Sequence, residues 1–115
     1  MEITHTEYPM CDLISISGRI DSYTAPLLSS KLNSLIGLGK YNIILDMKDV
    51  IYVSSAGLRV MIDVQKNCRL NKRGETVLLN LPKRVFETLE LAGFLPLFKL
   101  YDNVDSAINN FKRDL

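Results

Sequence analysis

Two kinds of periodicity alternate along this chain of 115 residues, and that alternation constrains its fold more than any other feature. Residues 12–18 (Asp-Leu-Ile-Ser-Ile-Ser-Gly) place Leu13, Ser15 and Ser17 opposite Ile14 and Ile16, the period of two of a half-buried strand closed by Gly18. Residues 2–8 read as a weaker strand, joined to it by a link containing Pro9, which predicts a hairpin. Leu28, Leu32, Leu35 and Ile36 then recur at helical spacing within 24–38, with Thr24 as cap, Pro26 in the first turn and Gly37 and Gly39 at the end. Residues 41–46 are nearly continuous in apolar, β-branched character, as in a strand covered on both faces, and end at Asp46. After a short loop, a helix is predicted over 56–71. Its buried stripe is Gly57, Val60, Met61, Val64 and Cys68, its last turn carries Arg69, Lys72 and Arg73, and Gly74 stops it. A strand at 76–81 and a helix opened by Pro82 and ended by Gly93 follow, the helix turning Val85, Phe86, Leu89 and Ala92 inward. A strand at 97–101 and a helix at 103–113, with Val104, Ala107, Ile108, Phe111 and Leu115 on one face, complete the chain.

The order β-β-α-β-α-β-α-β-α implies an α/β domain over residues 1–115, with a mixed, mostly parallel sheet of about five strands and about four helices. The first pair forms the antiparallel or mixed edge. In open sheets of this kind function gathers past the carboxyl ends of the strands, where Ser54 and Ser55 fall.

Composition narrows the function classes. Lys and Arg number 14 against 13 Asp and Glu, a net charge of +1 that gives no electrostatic reason to expect nucleic acid or an anionic membrane as main partner. No apolar run approaches the ~20 residues of a membrane span. The first residues lack the basic and apolar parts of a secretion signal, so a soluble cytoplasmic domain is expected. Cys11 and Cys68 read as small core residues, with neither a zinc motif nor a disulfide framework. His5 is the one histidine and lies in a strand expected to fray, and no Gly-x-Ser-x-Gly elbow occurs, which argues against a serine hydrolase. Asp46 and Asp49 read as strand-end and turn chemistry rather than a metal site. Neither a P-loop nor the early acidic pair of a receiver domain is present. Lys66, Arg69, Lys72, Arg73, Lys83 and Arg84 cluster in sequence, but without the aromatic platform that nucleic-acid binding would want. No catalytic residue, cofactor or metal is assigned.

Val53-Ser54-Ser55-Ala56-Gly57-Leu58 feeds a loop directly into a helix start. The first turn of a helix leaves N–H groups without partners and carries partial positive charge. A serine there caps the helix, or, once phosphorylated, sets its phosphate against those N–H groups. Ala56 and Gly57 are small enough to let another molecule near the backbone. The pattern by itself does not separate a cap from a modification site.

Gly18-Arg19-Ile20-Asp21 with Ala25-Pro26-Leu27, then Ile43-Ile44-Leu45-Asp46 with Val53 through Val60, then Leu89-Glu90-Leu91-Ala92-Gly93-Phe94, resemble in order the landmarks of the STAS domain, specifically the bacterial anti-sigma factor antagonists. The resemblance spans essentially the whole chain. It implies partner switching: the unphosphorylated antagonist captures an anti-sigma factor that is also a serine kinase, which frees the sigma factor. Phosphorylation of one loop serine ends the capture, and a PPM-type serine phosphatase resets it. By position that serine is Ser55. Several family members carry an acidic residue just before it where this chain has Ser54, which keeps Ser54 as an alternative acceptor. The implied docking surface comprises Ser54, Ser55, Ala56, Gly57, Leu58, Arg59 and Ile62, with Asp21, Ser22 and Tyr23 from the neighbouring turn. Leu58 and Ile62 lie partly off the buried stripe; they either face a partner or pack beneath the adjoining strand loop. The other function class consistent with the resemblance is an unphosphorylated STAS scaffold or accessory subunit of a signalling or lipid-transport assembly.

Overall fold

The structure is a computed structural model and describes residues 1–70 and 73–112. Among the described residues, strands and α-helices follow the expected order: β1 (Glu2–Glu7), β2 (Asp12–Ile20), α1 (Ala25–Gly37), β3 (Asn42–Val53), α2 (Ser55–Arg69), β4 (Glu75–Leu79), α3 (Lys83–Ala92), β5 (Leu100–Tyr101) and α4 (Val104–Asn109). The five strands form one sheet in the order β1-β2-β3-β4-β5. β1 pairs antiparallel with β2, and every later pairing is parallel. The expected mixed sheet with an antiparallel edge is therefore present.

Alternation along the strands divides the core. Ile14, Ile16, Ile20, Ile43, Leu45, Met47, Val50, Val53 and Leu78 share one buried cluster with residues of α1, α2 and α3. Leu13, Ile44, Val77 and Leu79 face the other way and pack with Ala107 and Phe111 beside α4. β3 and β4 thus bury both faces, as their unbroken apolar runs require.

Several boundaries differ from expectation for identifiable reasons. β3 does not stop at Asp46 but continues to Val53. Its pairing with β2 shifts register between Ser15 and Ser17, where Asp46 and Asp49 are the partners, so an extra residue is absorbed as a bulge. Asp46 accepts from the Lys48 amide at 3.2 Å within that bulge, and Asp49 lies in the strand rather than in a turn. β2 likewise runs past Gly18, whose φ of 91° and adjacent register shift mark a second irregularity instead of an end. His5 does not fray: Nε2 sits 2.8 Å from Oδ1 of the buried Asp12, which Lys40 also approaches at 3.3 Å.

Helix α2 ends at Arg69, so Gly74 is not its stop. A Cβ at Gly74 would collide with the Tyr41 backbone and the Asn42 side chain, so glycine there lets the chain pass close over the start of β3. Ala92 and Val104, expected inward, are exposed, and Phe86 is half-buried. The last strand is short because Leu95–Leu97 forms a 3-10 turn and only Leu100 and Tyr101 pair with β4. The expected positions Lys72 and Leu115, and the end of the last helix at 113, lie outside the described residues. Gly93 closes α3 as expected, in the left-handed conformation at φ 77°.

Candidate functional site

The loop 54–57 is fixed by its position at the carboxyl end of the sheet. Ile20 and Val53, the last residues of β2 and β3, are paired in register, and the Ser54 amide donates to the Ile20 carbonyl at 2.8 Å. That bond carries the ladder one step beyond the strand and fixes the start of α2. Ser54 keeps extended backbone angles (φ −82°, ψ 174°), and its Oγ accepts from the Gly57 amide at 3.2 Å. Ser54 is therefore the N-cap, half-buried and engaged. Ser55 is the first residue of the helix; it is exposed, and its hydroxyl makes no hydrogen bond among the described residues. The resemblance gives Ser55 by position with Ser54 as alternative, and the geometry distinguishes them as an exposed hydroxyl and an engaged cap.

Gly57 lies on the buried stripe of α2, as its spacing predicts, but it does not open the backbone to another molecule. It is buried, and a Cβ built on it would lie 2.7 Å from Ile20 Cγ2, 2.9 Å from Val53 Cγ1 and 3.2 Å from the Ile20 carbonyl oxygen. The space that glycine leaves is filled by the chain itself, not offered to a partner. Leu58 and Ile62 are also buried, at 8% and 9% exposure, and Leu58 belongs to the main core. Of the two alternatives for this pair, internal packing is the one observed, and neither side chain is a surface contact in this conformation. The reason is that α2 packs on α1 as well as on the sheet, which widens its apolar arc beyond a single stripe. Arg59 does point outward, with its side chain 80% exposed and Nε 3.6 Å from Asp63.

The turn between β2 and α1 lies beside the loop, as expected from the sheet order. Thr24 does not cap α1 with its side chain. Its hydroxyl instead donates to the Arg19 carbonyl at 2.9 Å and accepts from the Asp21 amide at 2.8 Å. Asp21 Oδ1 accepts from the amides of Tyr23 at 3.0 Å and Thr24 at 3.1 Å. The Thr24 amide first, and with it the Tyr23 amide, the Thr24 hydroxyl and nearby Arg19, hold the Asp21 carboxyl below the ordinary carboxylate range. Asp21 thus builds the turn. Tyr23 is left 88% exposed at its tip, with Ser22 beside it, and Leu27 is 62% exposed on the first turn of α1. Sequence reasoning did not single out Leu27; its place off the Leu28-Leu32-Leu35 stripe was the available signal.

Among the described residues no group of three or more His, Cys, Asp or Glu side chains could hold a metal ion. The basic cluster of the sequence is divided, since Lys66, Arg69 and Arg73 precede β4 while Lys83 and Arg84 follow it. No helix among the described residues is long and apolar enough to cross a membrane.

What remains at the carboxyl pole is an exposed serine on a helix start, flanked by an aromatic turn and an outward arginine. Residues 2–107 match the family model of the STAS domain. The chain belongs to the STAS domain family. A candidate anti-sigma factor antagonist of Bordetella bronchiseptica, BtrV, is 32% identical to this STAS protein over 115 residues, covering 100% of this chain and 98% of the relative. The anti-sigma-B factor antagonist of Listeria monocytogenes is 33% identical over 98 residues, 84% of this chain and 82% of the relative. Among solved structures, the anti-sigma factor antagonist SpoIIAA in its unphosphorylated form superposes with a TM-score of 0.81 at 16% identity, covering 95% of each chain. Bacillus SpoIIAA in its phosphorylated form gives 0.76 at 16% identity, covering 96% of this chain and 100% of the other. At those identities the structural likeness is one of fold.

Proposed function

We propose that this STAS protein is an anti-sigma factor antagonist that works by partner switching, with Ser55 as its switch. In its unmodified form it binds an anti-sigma factor that is also a serine kinase, and so releases a sigma factor in the cytoplasm. Phosphorylation of Ser55 ends that binding, and a PPM-type serine phosphatase restores it. The kinase and phosphatase supply the catalysis; this chain supplies the surface. The names of its relatives support the class of function, and one observation carries the choice of residue: Ser54 Oγ is engaged as the helix cap, while the adjacent Ser55 hydroxyl is exposed on the first residue of α2. The docking surface is then Tyr23, Ser22, Ser55 and Arg59, with Ala56 half-buried between them, while Asp21, Ser54, Gly57, Leu58 and Ile62 shape it from within.

The energetics suit a local switch. A phosphoserine adds about −1.5 to −2 charges at neutral pH. On the free domain that charge is solvated and lies at the positive end of α2. Pressed into a drying interface, it loses its water without a fixed partner, which costs several kcal/mol. Weakening a complex from nanomolar to micromolar takes about 4 kcal/mol, so local exclusion is large enough without a distant change of shape.

Incubation with the cognate ATP-dependent anti-sigma factor, followed by peptide mapping, tests the assignment. Phosphate is expected on Ser55, absent in Ser55→Ala and retained in Ser54→Ala. Modification that persists in Ser55→Ala would move the switch to Ser54. A chain that binds its partner but is never phosphorylated would be an unmodified scaffold.

A further inference from the structure

At the pole opposite Ser55, the amino ends of the parallel strands enclose a cleft of about 390 Å³. Its wall includes Arg69 from the end of α2, Arg73 from the link to β4, Lys99 from the approach to β5 and Lys112 from beyond α4. Four cations from separate segments meet there against one lining carboxylate, Glu75, in a chain whose net charge is only +1. A favourable helix dipole accounts for Arg69 alone; the other three are brought in by tertiary structure.

Glu75 shows how the donors converge. Its Oε2 accepts from Lys99 Nζ at 3.0 Å and from Asn110 Nδ2 at 3.2 Å, and its Oε1 lies 3.9 Å from Arg69 Nη2. The same Arg69 Nη2 donates to the Leu97 carbonyl at 3.0 Å. One carboxylate thus occupies part of a larger ring of donors. Arg73, with its guanidinium 5.8 Å from the centre of the Tyr41 ring, and Lys112 make no ion pair among the described residues.

We propose that this cleft binds a compact phosphate-bearing anion with two or more negative charges. Its volume lies within the range of small-molecule sites, and cationic side chains from four chain segments line one concavity. A compact anion reaches them together, whereas an extended acidic chain would meet them one after another. The site does not rest on the role of Ser55. The 15 residues of α2 set it about 22 Å from the switch loop, so a partner docked there leaves it open.

Titration of the full chain with inorganic pyrophosphate by calorimetry tests the proposal. Saturable one-to-one binding is expected, weaker at physiological than at low ionic strength. It should fall at least tenfold in Arg73→Glu/Lys112→Glu and stay unchanged in Lys83→Glu, which removes a cation elsewhere. Should the double variant fold poorly, amide shifts of the unaltered protein decide: pyrophosphate must move Gly74, Glu75 and Asn110. The proposal is overturned by absence of binding at millimolar pyrophosphate or by equal loss in Lys83→Glu. Tighter binding to a polyglutamate peptide, or to phosphatidylglycerol vesicles, would also overturn it, in favour of a protein segment or a membrane.

Discussion

Ser54 and Ser55 are adjacent in sequence and opposite in engagement, and the difference has a measurable consequence. Ser54 Oγ satisfies the Gly57 amide, one of the donors that a helix start otherwise leaves unpaired. Ser54→Ala is expected to cost about 1 kcal/mol of stability, whereas Ser55→Ala removes an exposed hydroxyl and should change it by under about 0.5 kcal/mol. Urea unfolding midpoints of the two variants check this, and equal losses would show that Ser55 also holds the turn. Sequence placed both serines at the helix entrance, because a cap residue beside small residues and a new helical period is a local signal. The local pattern could not say which of them caps, because the cap is decided by where the first helical turn closes, to within one residue; only the family resemblance favoured Ser55 as acceptor, with Ser54 as alternative. Gly57 belongs to the buried stripe as its spacing says, and only the expectation of open access at it fails, for a related reason. Glycine in a loop suggests open access, and only the pairing of Ile20 with Val53 reveals that their side chains fill the gap.

Elements are joined here by two devices that periodicity cannot show. β5 pairs with β4 only at Leu78 and Leu79, so the β5 side of Thr76 has no strand beside it. The Gln65 carboxamide takes that place: Oε1 accepts from the Thr76 amide at 2.7 Å, and Nε2 donates to the carbonyls of Thr76 at 3.0 Å and Leu97 at 2.7 Å. Gln65 is 2% exposed, and Gln65→Leu would leave the buried Thr76 amide and carbonyl without their partner, while the Leu97 carbonyl keeps its bond from Arg69. A loss of about 2–4 kcal/mol is expected, from the ~1–3 kcal/mol cost of each orphaned group and partial relaxation. Thermal or urea unfolding measures it, and a loss below 1 kcal/mol would mean that water replaces the carboxamide. From sequence, Gln65 was one polar residue beside Val64 on an amphipathic helix, with nothing to mark it as buried. The second device is the Asp21 turn. Its carboxyl is held below the ordinary value of 3.8 by amides it meets only when folded. Ionised Asp21 therefore adds stability above the range in which the unfolded chain's carboxyl titrates, and loses that contribution as pH falls through its lower folded value. Asp21→Ala should be less stable than the parent at neutral pH, with the gap closing as the pH drops below about 3.8. A gap that stayed constant would assign Asp21 a packing role instead. The order of elements and both faces of the sheet were legible in the sequence, since strand alternation and helical stripes are written locally. The bulge at Asp46 and the truncated β5 were not, because they depend on how a neighbouring strand is paired.

At the scale of the molecule, the arrangement favours a switch that changes a surface and leaves the fold alone. β2 and β3 end together under the loop, and Ile20 and Val53 anchor it in the main core at 0% and 4% exposure. Moving that loop far would expose both side chains, at a cost of about 1.5–3 kcal/mol each. A phosphate on Ser55 faces no such barrier, since the residue is exposed at the favourable end of α2. The modified protein should therefore keep its unfolding free energy within about 1 kcal/mol of the unmodified one. Its amide shifts should change around residues 20–24 and 53–60 and not in α3 or α4. If the proposed function holds, affinity for the anti-sigma factor should fall by a factor of about 1,000, the ~4 kcal/mol that a stranded charge can supply. Ser55→Asp should follow in the same direction with a smaller loss, because it brings one negative charge in place of nearly two. Arg59→Glu should weaken capture while the melting temperature holds, since the side chain is 80% exposed and its pairing with Asp63 is that of a surface ion pair. Shifts that spread into α3 and α4 on phosphorylation, or capture left intact with Ser55 fully modified, would replace local exclusion with a rearrangement of the whole domain. The buried ends of β2 and β3 stand against that outcome: the loop is braced on the core from below, so the charge added to it acts outward.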